Sequence, residues 1–197
     1  EAKQNESSLR FGTFNRPTED SPPVWHSNGS LETSGDFCIA EPPIEGCRYV
    51  LVVDTAKGIR SGEDKRNTDS HATLVYRCGY FDAQGRWQRG KVVACIVGER
   101  RRMGSVLRLE CKLQPFELTE RIIDLYDYYG QPTVVVENNN DPGVIPLLKR
   151  RKVRLYVEKH NALSATKEGQ EKDKLGFTMG DVEARTGVRS TILHDLN

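Results

Sequence analysis

The chain has 197 residues, 29% of them charged and 37% hydrophobic, an ordinary globular composition long enough to bury one good-sized core. Its formal net charge of +1 gives by itself no sign of a nucleic-acid partner, so the distribution of charge carries more information than the sum. No apolar run reaches the length of a membrane span, and the opening EAKQNESSLR lacks the apolar core of a signal peptide.

Residues 1–40 are rich in Ser, Asn, Gly, Pro and Glu and show little periodicity. They read as a linker or arm, with a possible short hairpin turning at Ser27–Ser30. The domain proper is expected over 41–197. It begins with CRYVLVVDTAKG, where Tyr49–Val53 are apolar and largely β-branched. Such a run predicts a central strand covered on both faces, and it ends on Asp54. A second strand is expected over 71–81 and a third over 91–99, joined by the hairpin turn DAQGRWQRG into an antiparallel meander.

The period then changes. In PFELTERIIDLYDYYG, residues Leu118, Ile122, Leu125, Tyr126 and Tyr129 fall on one helical stripe. Pro115 suits the first turn, Gly130 the position past the end, and Pro132 stops continuation. Thr133–Glu137 reads as the fourth strand, again ending on an acid. Asp141-Pro142 suggests an N-cap and first helical residue for a second helix, PGVIPLLKRRK. VRLYVE (153–158) is a further strand. The remainder reads as a short strand or loop and then an amphipathic helix carrying Val188, Ile192 and Leu193.

The order β-β-β-α-β-α-β predicts an α/β domain with a mixed sheet. A helical crossover makes its flanking strands parallel, which puts the first strand between the second and the fourth. Asp54 and Glu137 then end parallel neighbours about 4.8 Å apart. Two ionised carboxylates that close repel each other and need a proton or a cation between them. Hard oxygen donors in this arrangement suit Mg²⁺ or Mn²⁺. Asp69, at the start of the second strand, is a weaker third ligand.

Other motifs fall away. GRWQRGKV (85–92) matches the spacing of a P-loop, but Val92 stands where a hydroxyl must reach Mg²⁺, and the segment leads into a strand. The five cysteines, Cys38, Cys47, Cys78, Cys95 and Cys111, are odd in number and show no C-x-x-C spacing, so free buried thiols are expected. His26, His71, His160 and His194 have no metal-ligand spacing. The N-x-S matches at Asn5 and Asn28 come without a secretory signal. Basic residues cluster at 99–104 and 147–154, where Arg101, Arg102, Lys149, Arg150 and Arg151 are candidates for phosphate contacts.

YVLVVDTAKG…NTDSHATLVYR, PTVVVENNNDPGVIPLLKRRKVRLYVE and KLGFTMGDVEARTGVRSTIL together resemble the nuclease domain of the large terminase subunit of tailed bacteriophages, over about residues 40–197. The resemblance implies an RNase H-like fold in the host cytoplasm. It implies cutting of concatemeric double-stranded DNA with two Mg²⁺ or Mn²⁺ ions, and the portal and the small terminase subunit as partners. By match, Asp54 is the first acid, Glu137 the second, and Asp69 a recurrent acid of less defined duty. The family's third acid lies well downstream of the Gly-Phe-Thr stretch, so it is expected beyond Asn197, and Asp195 does not match it. The packaging ATPase of such proteins would precede residue 1. Two alternatives stay open: a DNA- or partner-binding module of the same fold without catalysis, and another RNase H-like nuclease such as a junction resolvase or an integrase.

Overall fold

A computed structural model describes residues 9–18, 21–29, 36–55, 70–103, 106–137, 143–158 and 174–175, with the backbone alone for 99–103, 106–110, 158, 174 and 175. Three strands come first: β1 (Arg10–Asn15), β2 (Val24–Gly29) and β3 (Phe37–Ile39). They are followed by β4 (Tyr49–Asp54), β5 (Ala72–Arg77), a small hairpin β6 (Tyr80–Phe81) and β7 (Trp87–Gln88), and β8 (Lys91–Ile96). A second hairpin, β9 (Glu99–Met103) and β10 (Val106–Glu110), precedes helix α1 (Pro115–Tyr128). Strand β11 (Thr133–Glu137), helix α2 (Val144–Arg150), β12 (Val157–Glu158) and β13 (Lys174–Leu175) complete the described elements.

The result is an α/β arrangement built on a seven-stranded mixed sheet in the order β11-β4-β5-β8-β3-β1-β2. Among the described strands of this sheet, β4 and β11 pair in parallel and the other pairs are antiparallel. The first apolar strand thus lies between the second and the helix-linked one, as its sequence context predicts. A parallel bridge from Leu155 to Val134 extends the sheet beyond β11.

Alternation along the strands sorts the two faces. Leu51, Val53, Val75, Val134 and Val136 point to one face, where they join Leu118, Ile122 and Leu125 of α1 and Val144 and Leu148 of α2 in one core. Both described helices therefore cover the same face. Each fully buried Leu or Ile there contributes roughly 1.5–3 kcal/mol. Val50, Val52 and Val135 point the other way, into a smaller cluster with Cys78 and Tyr156. Asp54 and Glu137 share the parity of this second set.

Helix α1 follows its stripe. Pro115 takes the first helical position, and the Gln114 backbone N–H donates to Glu117 Oε2 at 3.1 Å, which ties down the first turn. Gly130 and Gln131 take left-handed backbone angles (φ 73° and 61°) and end the helix.

Two expectations are corrected. Within the stretch expected as a linker or arm, strands β1, β2 and β3 belong to the central sheet, and the Ser27–Gly29 segment lies within β2 rather than in a turn. What holds them is tertiary. Phe37 is fully buried, Phe14 packs at 4.8 Å from Phe37 and 4.9 Å from Tyr128, and Arg16 bridges Asp124 and Asp127 of α1 at 2.7 and 2.8 Å. Helix α2 starts at Val144 with Gly143 as its N-cap, in a left-handed conformation at φ 111°. Pro146, not Pro142, occupies its first turn. Asp141 and Pro142 lie outside the described residues, as does the expected C-terminal helix.

Candidate functional site

The parallel pairing of β4 with β11 runs in strict register from Thr133 opposite Val50 to Glu137 opposite Asp54. In-register residues on adjacent strands present their side chains to the same face. Asp54 and Glu137 are therefore neighbours at the carboxyl end of the parallel pair, on the face opposite the two helices. Asp54 is exposed and Glu137 half-buried, so the pair is open on one side to an incoming ligand.

The floor beneath them is rigid. Val53 and Val136, one residue earlier on each strand, are fully buried. Thr55, 2% exposed, donates its hydroxyl to the Glu137 carbonyl oxygen at 3.0 Å. That bond ties the two strand ends together just past the last register pair. On the other flank, Ala72 pairs with Asp54. His71 beside it is buried, its Nε2 lies 3.0 Å from the Leu113 carbonyl, and its backbone N–H donates to Cys111 at 2.8 Å. Burial holds the His71 pKa below the usual histidine range, against the raising effects of the Leu113 carbonyl and of the Asp54 charge. The neutral ring donates Nε2–H to Leu113 and anchors the start of β5 to the lead into α1.

Two adjacent carboxylates with an open side fit a hard divalent cation. Mg²⁺ is commonly held by one or two carboxylates, with water and substrate phosphate oxygens completing its octahedron. Among the described residues no group of three or more His, Cys, Asp or Glu side chains converges to hold a metal. Asp69, the expected weaker ligand, lies outside the described residues, as do His160 and Asp195.

The basic candidates separate into two groups. The β9–β10 hairpin, which carries Arg101 and Arg102, leaves the sheet just after Val97 and returns at Cys111. Val97 bonds Asp36 and Cys111 bonds His71, and β5 there pairs with the end of β4. The hairpin thus springs from the end of the sheet that holds Asp54 and Glu137. Lys149, Arg150 and Arg151 do not. Helix α2 runs back from the Glu137 end, and the residues just after it, Arg151, Lys152 and Val153, line one hollow with Gln131, which precedes β11.

None of the five cysteines is in a disulfide, and Cys38, Cys78 and Cys111 are buried. Burial pushes Cys111 up to about 11, and a hydrogen bond with Cys38 together with burial raises Cys95. The rejected P-loop segment is a turn and strand, with Lys91 opening β8.

Thr55 and His71 are the positioning residues that sequence patterns miss. The signal for Thr55 was a polar β-branched residue directly after an apolar strand. His71 carried none, because its partner is a main-chain carbonyl 42 residues away. No protein-family model matches the chain, and no curated protein does.

Proposed function

We propose that this chain is a metal-dependent DNA endonuclease domain of RNase H-like topology, similar to the nuclease domain of phage terminase large subunits. The observation that carries the reading is the register of Glu137 with Asp54 at the carboxyl end of two parallel strands, where open α/β sheets bind ligands. The topology gives support: antiparallel strands come first, and a helical crossover returns β11 beside β4.

Asp54 and Glu137 are the metal-binding carboxylates. A divalent ion bound there would generate hydroxide near neutral pH and stabilise the leaving 3′-oxygen of a phosphodiester. The Thr55 bond to the Glu137 carbonyl keeps the two carboxylates at fixed separation. Arg101 and Arg102 on the nearby hairpin hold backbone phosphates, in a contact that is salt-sensitive and largely independent of sequence. Asp69 is the natural further ligand.

Relaxation of supercoiled plasmid in Mn²⁺ tests this. The chain should nick and linearise plasmid, while Asp54→Ala and Glu137→Ala should each abolish cutting and remain folded. Full activity in both variants would end the proposal. The alternative outcome of the same assay is a module that binds DNA or a partner and does not cut. Such a module would show neither cutting nor site-specific heat on titration with Mn²⁺.

A further inference from the structure

We infer that the opposite end of the sheet carries a second, metal-independent binding surface for the phosphate backbone of duplex DNA. Residues 149–154 read KRRKVR, five cations in six positions, and all five are exposed while Val153 is buried. The run wraps around the end of α2, where Lys152 takes a left-handed backbone angle (φ 56°) that turns the chain. Arg151 and Lys152 then line a hollow of about 630 Å³ with Arg16, Asp127 and Gln131. Gln131 also borders a second hollow, about 270 Å³, at the starts of β4 and β11, flanked by Arg48 and Arg154. The two hollows join into one basic surface.

The carboxylates nearby are already engaged. Asp127 pairs with Arg16 at 2.8 Å and Glu120 with Arg151 at 3.6 Å. No carboxylate among the described residues pairs with Lys149, Arg150 or Lys152. Arg154 is aimed, not merely solvated: its Nε and one terminal nitrogen donate to Thr133 Oγ1 at 3.0 and 2.6 Å. Lys149 and Arg150 also complement the negative end of the α2 dipole. That local role does not account for Lys152, Arg154 or Arg48.

The occupant follows from the chemistry of the surface. A protein partner needs an apolar interface core, and residues 149–154 expose none. Interfaces with DNA are more polar and far more positively charged. The level of Thr133 lies four residues, about 13 Å, from that of Glu137 along β11. This surface therefore engages phosphates other than the one at the acidic pair. The choice of DNA rests on the nuclease reading; the affinity for a polyanion does not.

Fluorescence anisotropy with a labelled duplex of about 30 base pairs, in EDTA and across a salt series, tests it. K149E/R150E/K152E should weaken binding more than tenfold and reduce the slope of log K against log salt by about 2–3, one increment per lost phosphate contact. The neutral variant K149Q/R150Q should show a smaller loss of the same kind, with only a small drop in melting temperature from the lost α2 dipole contacts. Unaltered affinity and slope in both basic-end variants would overturn the inference. So would loss of polyglutamate binding in those variants with DNA binding intact, which would assign the surface to an acidic protein. Tight, basic-end-dependent DNA binding by a wild-type chain that cuts nothing in Mn²⁺ would remove the nuclease reading and leave this surface standing.

Discussion

The two ends of the β4–β11 pair are built from the same strands and carry opposite chemistry. At the carboxyl end, Asp54 and Glu137 sit in register and the next residue, Thr55, closes the gap between strands. At the amino end, Arg48, Arg154 and the basic run after α2 surround two polar hollows. Between them lie Leu51, Val53, Val134 and Val136, all fully buried. The core fixes the separation of the two ends. A parallel pair brings both carboxyl termini to one edge, so two acids distant in sequence meet there. Helix α2 returns its own C-terminus, with Lys149 and Arg150, to the other edge.

This polarity can be broken one end at a time. The largest effect is expected from Asp54→Ala or Glu137→Ala, with plasmid cutting in Mn²⁺ reduced by more than about a hundredfold. DNA binding at the basic end should persist, and the melting temperature should stay close to wild type because Asp54 is exposed. Cutting that survives either change would mean the acidic end is not the metal site. Next comes the shared core. Leu51→Ala should destabilise the fold by about 2–5 kcal/mol in urea denaturation, because Leu51 is fully buried under α1. A loss under about 1 kcal/mol would show that the site rests on some other support.

Smaller effects sharpen the acidic end. Thr55→Val removes the bond to the Glu137 carbonyl and should cost about 1 kcal/mol. It should also lower cutting, while Thr55→Ser restores both; equal activity in all three proteins would make the Thr55 bond irrelevant to the site. The smallest effect is the pH response of His71. Its folded pKa is lowered by burial, so below the ordinary histidine pKa of about 6.5 the unfolded chain takes up a proton that the folded chain resists. The stability associated with His71 is fully present above that pH and declines as pH falls below it. Melting temperatures at successive pH values should drop over this range, with a shallower drop for His71→Gln. Identical profiles for the two proteins would contradict the assignment.

Much of the central sheet was legible because periodicity and composition agreed there. Tyr49–Val53 and Thr133–Val136 are apolar runs too short for helices, and the α1 stripe between them is unambiguous, so the parallel pairing and its two terminal acids followed. The amino-terminal strands were not legible. Phe11, Phe37 and Phe14 are scattered in a polar, glycine-rich stretch, and their order comes from pairing with β8 and packing on α1. The β9–β10 hairpin was missed for a related reason: its arginines stand out as a charge cluster and mask the strand pattern, and its strands pair only with each other among the described elements. The cap of α2 was misplaced because Asp-Pro is a strong local start signal, and Gly143 supplies a left-handed turn that no pattern marks. The separation of Lys149–Arg151 from the acids followed from helix direction, which a linear reading of neighbouring motifs obscured.

Everything proposed for the acidic end requires that Asp54 and Glu137 together hold a divalent cation. Calorimetric titration of the 197-residue chain with Mn²⁺ addresses it without requiring activity. Saturable heat in the wild type that disappears in Asp54→Ala and, separately, in Glu137→Ala is the predicted result. Saturable heat that persists unchanged in both variants would contradict it.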